Sequence, residues 1–356
     1  MASTASLRKT PYLRRTGLTA GARQDHDKGG HRDERLRCRP VTPRGWWLFA
    51  AVSVLWGLPY LFIRVAVEAG ISPIVVVWLR TGGAVLVLLP LALRRNALRG
   101  LARRWRSMLV LTAVQITLPF LLIAYGEQHI TSSLAGLLVA TEPLFVAVLM
   151  LGFDRTERME GLRLVGLVIG LGGVAALLGV DVGTASAQLL GAALVLLAAL
   201  LYAGGALLIR RVTAETDPVG VITAILAINT VVLAPVAVPT LPDRLPAAHI
   251  SASLVGLALL CTAAAFMAYF ALIVEAGPSR ATVVFYLTPA VTVAFGITLL
   301  GEPVTAGILI GLFLIITGSW LATGGIPRRR ASCTTETDQR STSKEMEHAE
   351  LDGPCV

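Results

Sequence analysis

The sequence predicts an all-α polytopic membrane protein of ten transmembrane helices, arranged as two inverted five-helix repeats. Three observations support this fold class: the mean hydropathy is +0.72, long stretches of the chain carry no charge, and the two halves share one spacing of marker residues. Only 15% of the 356 residues are charged, whereas soluble domains carry about 25%. The composition therefore argues against a soluble enzyme, a disordered protein and a disulfide scaffold.

The apolar runs are long enough to cross a bilayer as helices. No charge occurs in residues 182–209, 219–242, 281–301 or 303–327, and about 18 uncharged apolar residues suffice for one span. Helices satisfy every backbone polar group within lipid. We therefore predict helical spans at 46–65, 73–93, 108–125, 132–152, 161–179, 188–209, 219–239, 251–274, 280–300 and 305–324.

The arginines predict the orientation of these spans. Six arginines lie in residues 94–106, others follow spans 4, 6 and 8, and three open the C-terminal tail. Because such residues mark cytoplasmic loops, we expect a multi-pass protein of the cell membrane with both termini cytoplasmic. Orientation explains the sequence pI of about 9.9, so the lipid bilayer is an expected partner and nucleic acid is not.

An internal repeat with an offset of 145 or 146 residues divides the membrane part. Because each half holds five spans, the second half must enter the membrane from the opposite side, as in many secondary transporters. Duplication that only builds a stable bundle is the alternative. The matched pairs are Trp56 and Tyr202, Arg64 and Arg210, Pro143 and Pro289, Glu157 and Glu302, Gly166 and Gly311, and Gly173 and Gly318.

These patterns predict four regions along the chain. Residues 1–45 and 326–356 lack hydrophobic periodicity and are expected to be disordered cytoplasmic tails, the first of them basic. Residues 46–180 form the first repeat with spans 1–5, and residues 181–325 form the second with spans 6–10.

Two charged residues inside the spans are candidates for binding a solute or an ion. Glu142 lies about ten residues into span 4, and Arg80 lies about seven residues after Pro73 in span 2. A charge at this depth costs about 2.5–3.5 kcal/mol on insertion scales. Either the two form a structural pair, or Glu142 binds a proton or a substrate cation while Arg80 tunes it or holds a carboxylate.

Further candidates are prolines and polar or aromatic residues within the spans. Pro143 and Pro289 each lack an N–H, and we expect helix kinks there. Gln115 and Asn229 serve as solute ligands or, as the residue types favour, as interhelical hydrogen bonders. The aromatic candidates suit a cavity for small amphipathic solutes; they are Trp56, Tyr60, Tyr202, Tyr269 and Tyr286.

Residues near the span ends have simpler expected roles. Glu157 and Glu302 precede spans 5 and 10, where an acid complements the dipole of the helix that follows. Trp46, Trp47 and Trp105 fit an aromatic belt at the membrane interface.

Motifs for cofactors, metals and catalysis are not found. The cysteines at 38, 261, 333 and 355 lack metal-ligand or redox spacing. No Walker, GxSxG or HExxH pattern occurs, and no histidine lies deep in a span. We therefore expect no cofactor, no metal and no catalysis.

The last three spans, residues 261–318, resemble the second repeat of EamA-type carriers of the drug/metabolite transporter superfamily. The matching features are the Thr-Ala and Ala-Tyr region of span 8, Pro289, and Gly301-Glu302 with Thr305 before a glycine-rich helix. The first repeat shows the same marks more loosely, and the resemblance covers about residues 46–324. It implies ten helices and the transport of small metabolites.

Together these observations predict a secondary transporter of a small organic metabolite, such as an amino acid or an amphipathic drug-like compound, working by alternating access. Export is the favoured direction, and protons and a homodimer are left open as partners. The alternatives are a non-transporting membrane sensor or scaffold and, further behind, an intramembrane enzyme.

Overall fold

The computed structural model describes residues 42–153, 161–179, 186–213 and 216–323, and nearly all of these residues are helical. No strand occurs within these ranges. Glu157 and nearly all residues of the two expected tails lie outside the described residues.

A helix occurs at each of the ten positions where the sequence predicts one. They are α1 (Pro43–Gly57 and Pro59–Glu68), α2 (Pro73–Arg94), α3 (Leu101–Gly126), α4 (Ser132–Val139 and Glu142–Phe153), α5 (Gly161–Leu177), α6 (Ser186–Thr213), α7 (Pro218–Ala237), α8 (Ala248–Ala276), α9 (Val284–Leu300) and α10 (Ala306–Ala322).

Seven of these helices are long and apolar enough to cross a membrane, and the other three are shorter apolar helices. The shorter ones are α5, α9 and α10; the last two hold 17 residues each. At 1.5 Å per residue they reach about 25 Å, close to the roughly 30 Å of a hydrocarbon core. The chain is thus a polytopic helical membrane protein.

Local sequence signals set several helix starts. Thr42, Thr131, Asp217 and Thr305 each accept a hydrogen bond from a backbone N–H in the first turn of the following helix. This capping satisfies a donor that has no partner within the helix. Proline occupies the first position of α1, α2 and α7, where its missing N–H costs nothing.

Four helices are irregular near their middle. α1 is interrupted at Leu58, and α4 is interrupted between Val139 and Glu142. α3 and α8 remain continuous but contain π-helical turns at Ala113–Thr117 and Leu259–Ala264. These two turns begin 146 residues apart, which is the offset of the sequence repeat. Such π turns often occur at functional sites.

The two prolines expected to kink their helices behave differently. Pro143 directly follows the interruption of α4 and is the second residue of the half-helix Glu142–Phe153. Pro289 lies inside the uninterrupted helix α9 and is buried. The prolines are equivalent in the repeat, but they do not produce matching interruptions.

The helix contacts follow one pattern in both halves. α3 packs on α6 as α8 packs on α1, and α4 packs on α6 as α9 packs on α1. α2 packs on α8 as α7 packs on α3. The remaining major contacts join equivalent helices: α2 with α7, α4 with α9, and α5 with α10. If each helix is replaced by its counterpart in the other half (α1 by α6, α2 by α7 and so on), the same set of helix contacts is obtained.

Glycines allow α5 and α10 to approach closely. Backbone atoms of Gly170 occupy the place where a Cβ on Gly318 would lie, and the backbone N of Ala322 does the same for Gly166. In lipid, helices associate without a hydrophobic driving force, and small residues let their backbones pack closely enough for van der Waals attraction to hold them together. The glycine-rich segment of span 5 thus serves packing.

The outer surface of the bundle is apolar. Leu86, Val231, Val274 and Phe313 are each at least 70% exposed. Exposed apolar side chains on helices of this hydropathy are suited to contact with lipid. The tryptophans expected at the membrane interface are also exposed: Trp46, Trp47 and Trp105.

Candidate functional site

Arg80 is buried at the centre of the bundle, only 8% exposed, on α2. Its Nε donates a hydrogen bond of 3.0 Å to Oγ1 of Thr262, in the π turn of α8. Its guanidinium carbon lies 3.8 Å from the ring centroid of Phe120 on α3. A cation over an aromatic face is stabilised by the ring quadrupole, so α3 and α8 hold this charge in place.

Four of the predicted residues share one electrostatic neighbourhood, which we call the central cluster. Arg80 interacts electrostatically with Tyr60 on α1 and with Tyr202 on α6. Glu142 on α4 lies within electrostatic range of the same two tyrosines. The cluster therefore combines one cation, one carboxyl group and two phenol hydroxyls from four helices and both halves of the chain.

The first alternative for Arg80 and Glu142, a structural ion pair, is wrong. Within the described residues Arg64 and Glu68 form an ion pair, whereas Arg80 and Glu142 do not. Arg80 instead directs its Nε to Thr262, and Glu142 is not fully buried. Each charge thus remains able to meet a charged group of a ligand.

The interruption of α4 places Glu142 at a helix end. Glu142 is the first residue of the half-helix Glu142–Phe153, and Pro143 follows it without an N–H. The N-terminus of a helix carries a partial positive charge that stabilises a carboxylate. Half-helix termini near the middle of a membrane commonly form transporter binding sites.

An aromatic wall is centred on Trp56, which precedes Tyr60 by four residues in α1. The Trp56 ring lies 4.7 Å from that of Tyr269 and is stacked at 5.5 Å on Phe285. Its edge meets Phe266 at 5.9 Å. Trp56 and Tyr269 were predicted as lining residues. Phe266 and Phe285 were not, because a phenylalanine in an apolar span gives no signal of its own.

Asn229 links three helices. Its Nδ2 donates to Thr81 on α2 at 3.1 Å, and its Oδ1 accepts from Thr117 on α3 at 2.7 Å. Asn229 is fully buried. These bonds support the interhelical interpretation, and they tie α7 to the helix that carries Arg80.

Gln115 lies in the π turn of α3 and faces α6. Its side-chain oxygen is buried without a hydrogen-bond partner and occupies the space beside Gly205, where a Cβ would clash. An unpartnered buried acceptor is costly, so Gln115 remains a candidate ligand.

Tyr286 contacts a residue at the end of α10. Its hydroxyl is 2.5 Å from Oγ1 of Thr323, just beyond the end of α10. The structure therefore places Tyr286 at a junction between α9 and α10. This position gives no support to a role in lining the central site.

Glu302 binds a helix other than the one that the sequence suggested. Its carboxylate accepts hydrogen bonds from the backbone and hydroxyl groups of Ser132 and Ser133, at the start of α4. The start of α10 is capped by Thr305 instead. Glu302 therefore contacts the start of α4 rather than that of α10, and this contact joins the two halves of the chain.

Glu127 is a buried acid that sequence reasoning missed. It follows α3, is 0% exposed, and neither carboxylate oxygen has a hydrogen-bond partner. Arg64 donates to the backbone carbonyls of Glu127 at 2.6 Å and Ile130 at 3.0 Å. An acid between two spans resembles a solvated loop residue, so the sequence carried little signal for its burial.

Metal binding has no geometric support in the part of the chain that the structure describes. No group of three or more His, Cys, Asp or Glu side chains suited to a metal ion occurs there.

The sequence model of the EamA-like transporter family matches the chain twice, at residues 43–179 and 189–324. This chain belongs to the EamA-like transporter family. It is 30% identical over 306 residues to the uncharacterized inner membrane transporter YedA of Escherichia coli K12, covering 82% of this chain and 94% of the relative. It is 26% identical over 279 residues to the uncharacterized transporter YvbV of Bacillus subtilis, covering 76% and 88%.

A solved crystal structure shares the fold of this EamA-like chain. The two agree with a TM-score of 0.56 at 18% identity, over 78% of this chain and 96% of the other. Family membership makes the protein a multi-pass membrane transporter of the drug/metabolite type. Its partners are accordingly a small-molecule solute and membrane lipid.

Proposed function

We propose that this EamA-like transporter is a secondary carrier for a small organic solute that bears both charge and apolar surface. An amino acid and an amphipathic drug-like compound are the candidate solutes, and export is the favoured direction. The observation that carries this proposal is the cluster of Arg80, Glu142, Tyr60 and Tyr202, in which a cation and a carboxyl group form no ion pair with each other.

The charges of this cluster match a zwitterion. The Arg80 guanidinium suits a carboxylate, because it offers several donors in one plane. Glu142 suits an ammonium group, and the two tyrosine hydroxyls can bond to either. The aromatic wall around Trp56 would receive the apolar part of the solute.

The proposed mechanism is alternating access between two inverted five-helix repeats. The double family match and the helix contacts that recur in both halves support this architecture. Five spans per repeat and the arginine-rich loops favour opposite orientations with both termini cytoplasmic. The repeats would extend over about 46–180 and 181–325. When the two repeats exchange conformations, the cluster would open to one side of the membrane at a time.

Solute counterflow into proteoliposomes tests this proposal. The purified protein is reconstituted with a panel of unlabelled amino acids inside and labelled ones outside. A charge-assisted hydrogen bond contributes about 1.5–3 kcal/mol, so Arg80→Gln and Glu142→Gln should each reduce counterflow by about tenfold or more.

The matched control is Glu275→Gln, which changes an exposed acid bonded to Thr42. It should leave counterflow unchanged. If Arg80→Gln and Glu142→Gln both show counterflow at the wild-type rate, this cluster does not bind the solute. Absence of counterflow for every amino acid in wild type would contradict this class of solute.

A further inference from the structure

Glu127 is a fully buried acid whose carboxylate is not compensated by any hydrogen bond. Both carboxylate oxygens are inaccessible and without a hydrogen-bond partner. An ionised carboxylate in such a place is strongly disfavoured, and a group so placed takes up a proton instead. Glu127 lies between Gly126, the last residue of α3, and Ser132, the first of α4.

Neither arginine near Glu127 donates a hydrogen bond to its carboxylate. Arg64 on α1 pairs with Glu68 at 2.5 Å and gives its other amino group to two backbone carbonyls. Arg80 on α2 bonds to Thr262. Glu302 binds the start of α4 and brings a second negative charge into the neighbourhood.

Electrostatics agree with this geometry. Burial raises the pKa of Glu127 well above its usual value, and the Glu302 carboxylate raises it further. Arg64 and Arg80 oppose that rise. Tyr60 also interacts electrostatically with Glu127, so Glu127 lies within electrostatic range of the central cluster without being part of it.

We propose that Glu127 is the proton-binding site of this carrier. The proton is held while the end of the bundle containing Glu302 and the start of α4 is closed. It is released when that contact opens and water reaches the carboxylate. The proton-coupling role rests on the proposed alternating-access function. It assigns coupling to a residue separate from the solute cluster.

Infrared difference spectroscopy tests the protonation directly and needs no solute. In wild-type protein in lipid nanodiscs at pH 7, we expect the carbonyl stretch of a protonated carboxylic acid, shifted by deuterium exchange. The spectrum of wild type minus that of Glu127→Gln should contain this band, whereas the spectrum of wild type minus that of the control Glu275→Gln should lack it. A wild-type spectrum without such a band overturns the proposal, whether or not the variant folds.

Thermal unfolding supplies a second measurement. The ordinary pKa of glutamate is about 4.3, and the folded protein raises it. At a pH between the pKa of Glu127 in the unfolded protein and its pKa in the folded protein, only the folded state holds the proton. The free energy of unfolding therefore falls as the pH rises through this window. Wild type should lose stability through this window, and Glu127→Gln should lose less. Equal pH dependence in both proteins overturns the proposal.

Transport then separates this proposal from the proposed function. Glu127→Gln should keep counterflow of the labelled amino acid that wild type exchanges, but lose accumulation driven by a proton gradient. Accumulation equal to that of wild type overturns the coupling role, while counterflow still supports the carrier. If wild type exchanges no amino acid, the proposed solute class fails and the infrared band alone decides whether Glu127 holds a proton.

Discussion

Arg80 shows how a single charge is positioned within an apolar bundle. The Nε bond to Thr262 and the Phe120 ring fix the guanidinium from two sides. Within the described residues its terminal nitrogens donate no further hydrogen bond. A guanidinium held by one nitrogen keeps its remaining donors for a planar anion.

Removing the acceptor for Nε should therefore weaken solute binding without removing the charge. Thr262→Val is expected to raise the half-saturating solute concentration in counterflow by about tenfold, since a hydrogen bond to a charged group contributes roughly 1.5–3 kcal/mol. The control Thr298→Val removes an exposed hydroxyl that bonds within α9. If both variants match wild type, Thr262 does not position Arg80.

At the residue scale, the sequence predicted the central cluster better than the acids near the helix ends. Arg80 and Glu142 stood out because a charge within a long apolar run is rare. Glu127 resembled an ordinary loop acid, and Glu302 was expected to face the start of α10. The actual partner of Glu302 lies 170 residues away, and the chain around Glu127 is held by Arg64, 63 residues away, through the backbone carbonyl of Glu127. No local pattern encodes such distant partners.

At the scale of helices, hydropathy predicted positions but not internal geometry. α2 begins at Pro73 as predicted, whereas α3 begins at Leu101, seven residues before its predicted start. Arginines in the first turns of α3 made this stretch resemble a loop, although long basic side chains can reach the interface from a helix. The π turns escaped prediction because hydropathy does not report the register of backbone hydrogen bonds.

The glycine contact between α5 and α10 gives a prediction at this scale. Gly318→Ala places a Cβ against the Gly170 backbone, which cannot move aside as a flexible side chain can. We expect the free energy of unfolding to fall by about 1–3 kcal/mol, measured by thermal or denaturant unfolding in detergent. Gly172→Ala, which meets no atom within 4 Å, should be neutral or slightly stabilising. Equal stability of the two variants would contradict a packing role for Gly318.

At the scale of the whole molecule, the repeat explains which helices meet. α2 with α7, α4 with α9, and α5 with α10 are contacts between counterparts, which is compatible with the two-fold relation that we propose. The repeat was readable in the sequence because prolines, glycines and acids keep one offset. The contacts themselves were not readable, since spacing along a chain does not say which faces pack.

Opposite orientation of the halves is testable with reporters. If each half crosses the membrane five times, as we propose, a compartment-sensitive tag in the connection between α5 and α6 should report the outside, and one after α10 should report the cytoplasm. The control is a tag in the arginine-rich connection between α2 and α3, expected in the cytoplasm. Tags after α5 and α10 that report the same side would contradict the inverted arrangement.

The π turns have a consequence for how tolerant α3 is to length changes. Each such turn accommodates one residue more than a regular helix of the same rise, so the extra residue is absorbed without changing the faces of the residues beyond it. Deleting a single residue from Ala113–Thr117 would therefore let α3 become regular while Phe120 still faces Arg80. In a regular part of the helix, the same deletion would turn every residue beyond it by about 100°.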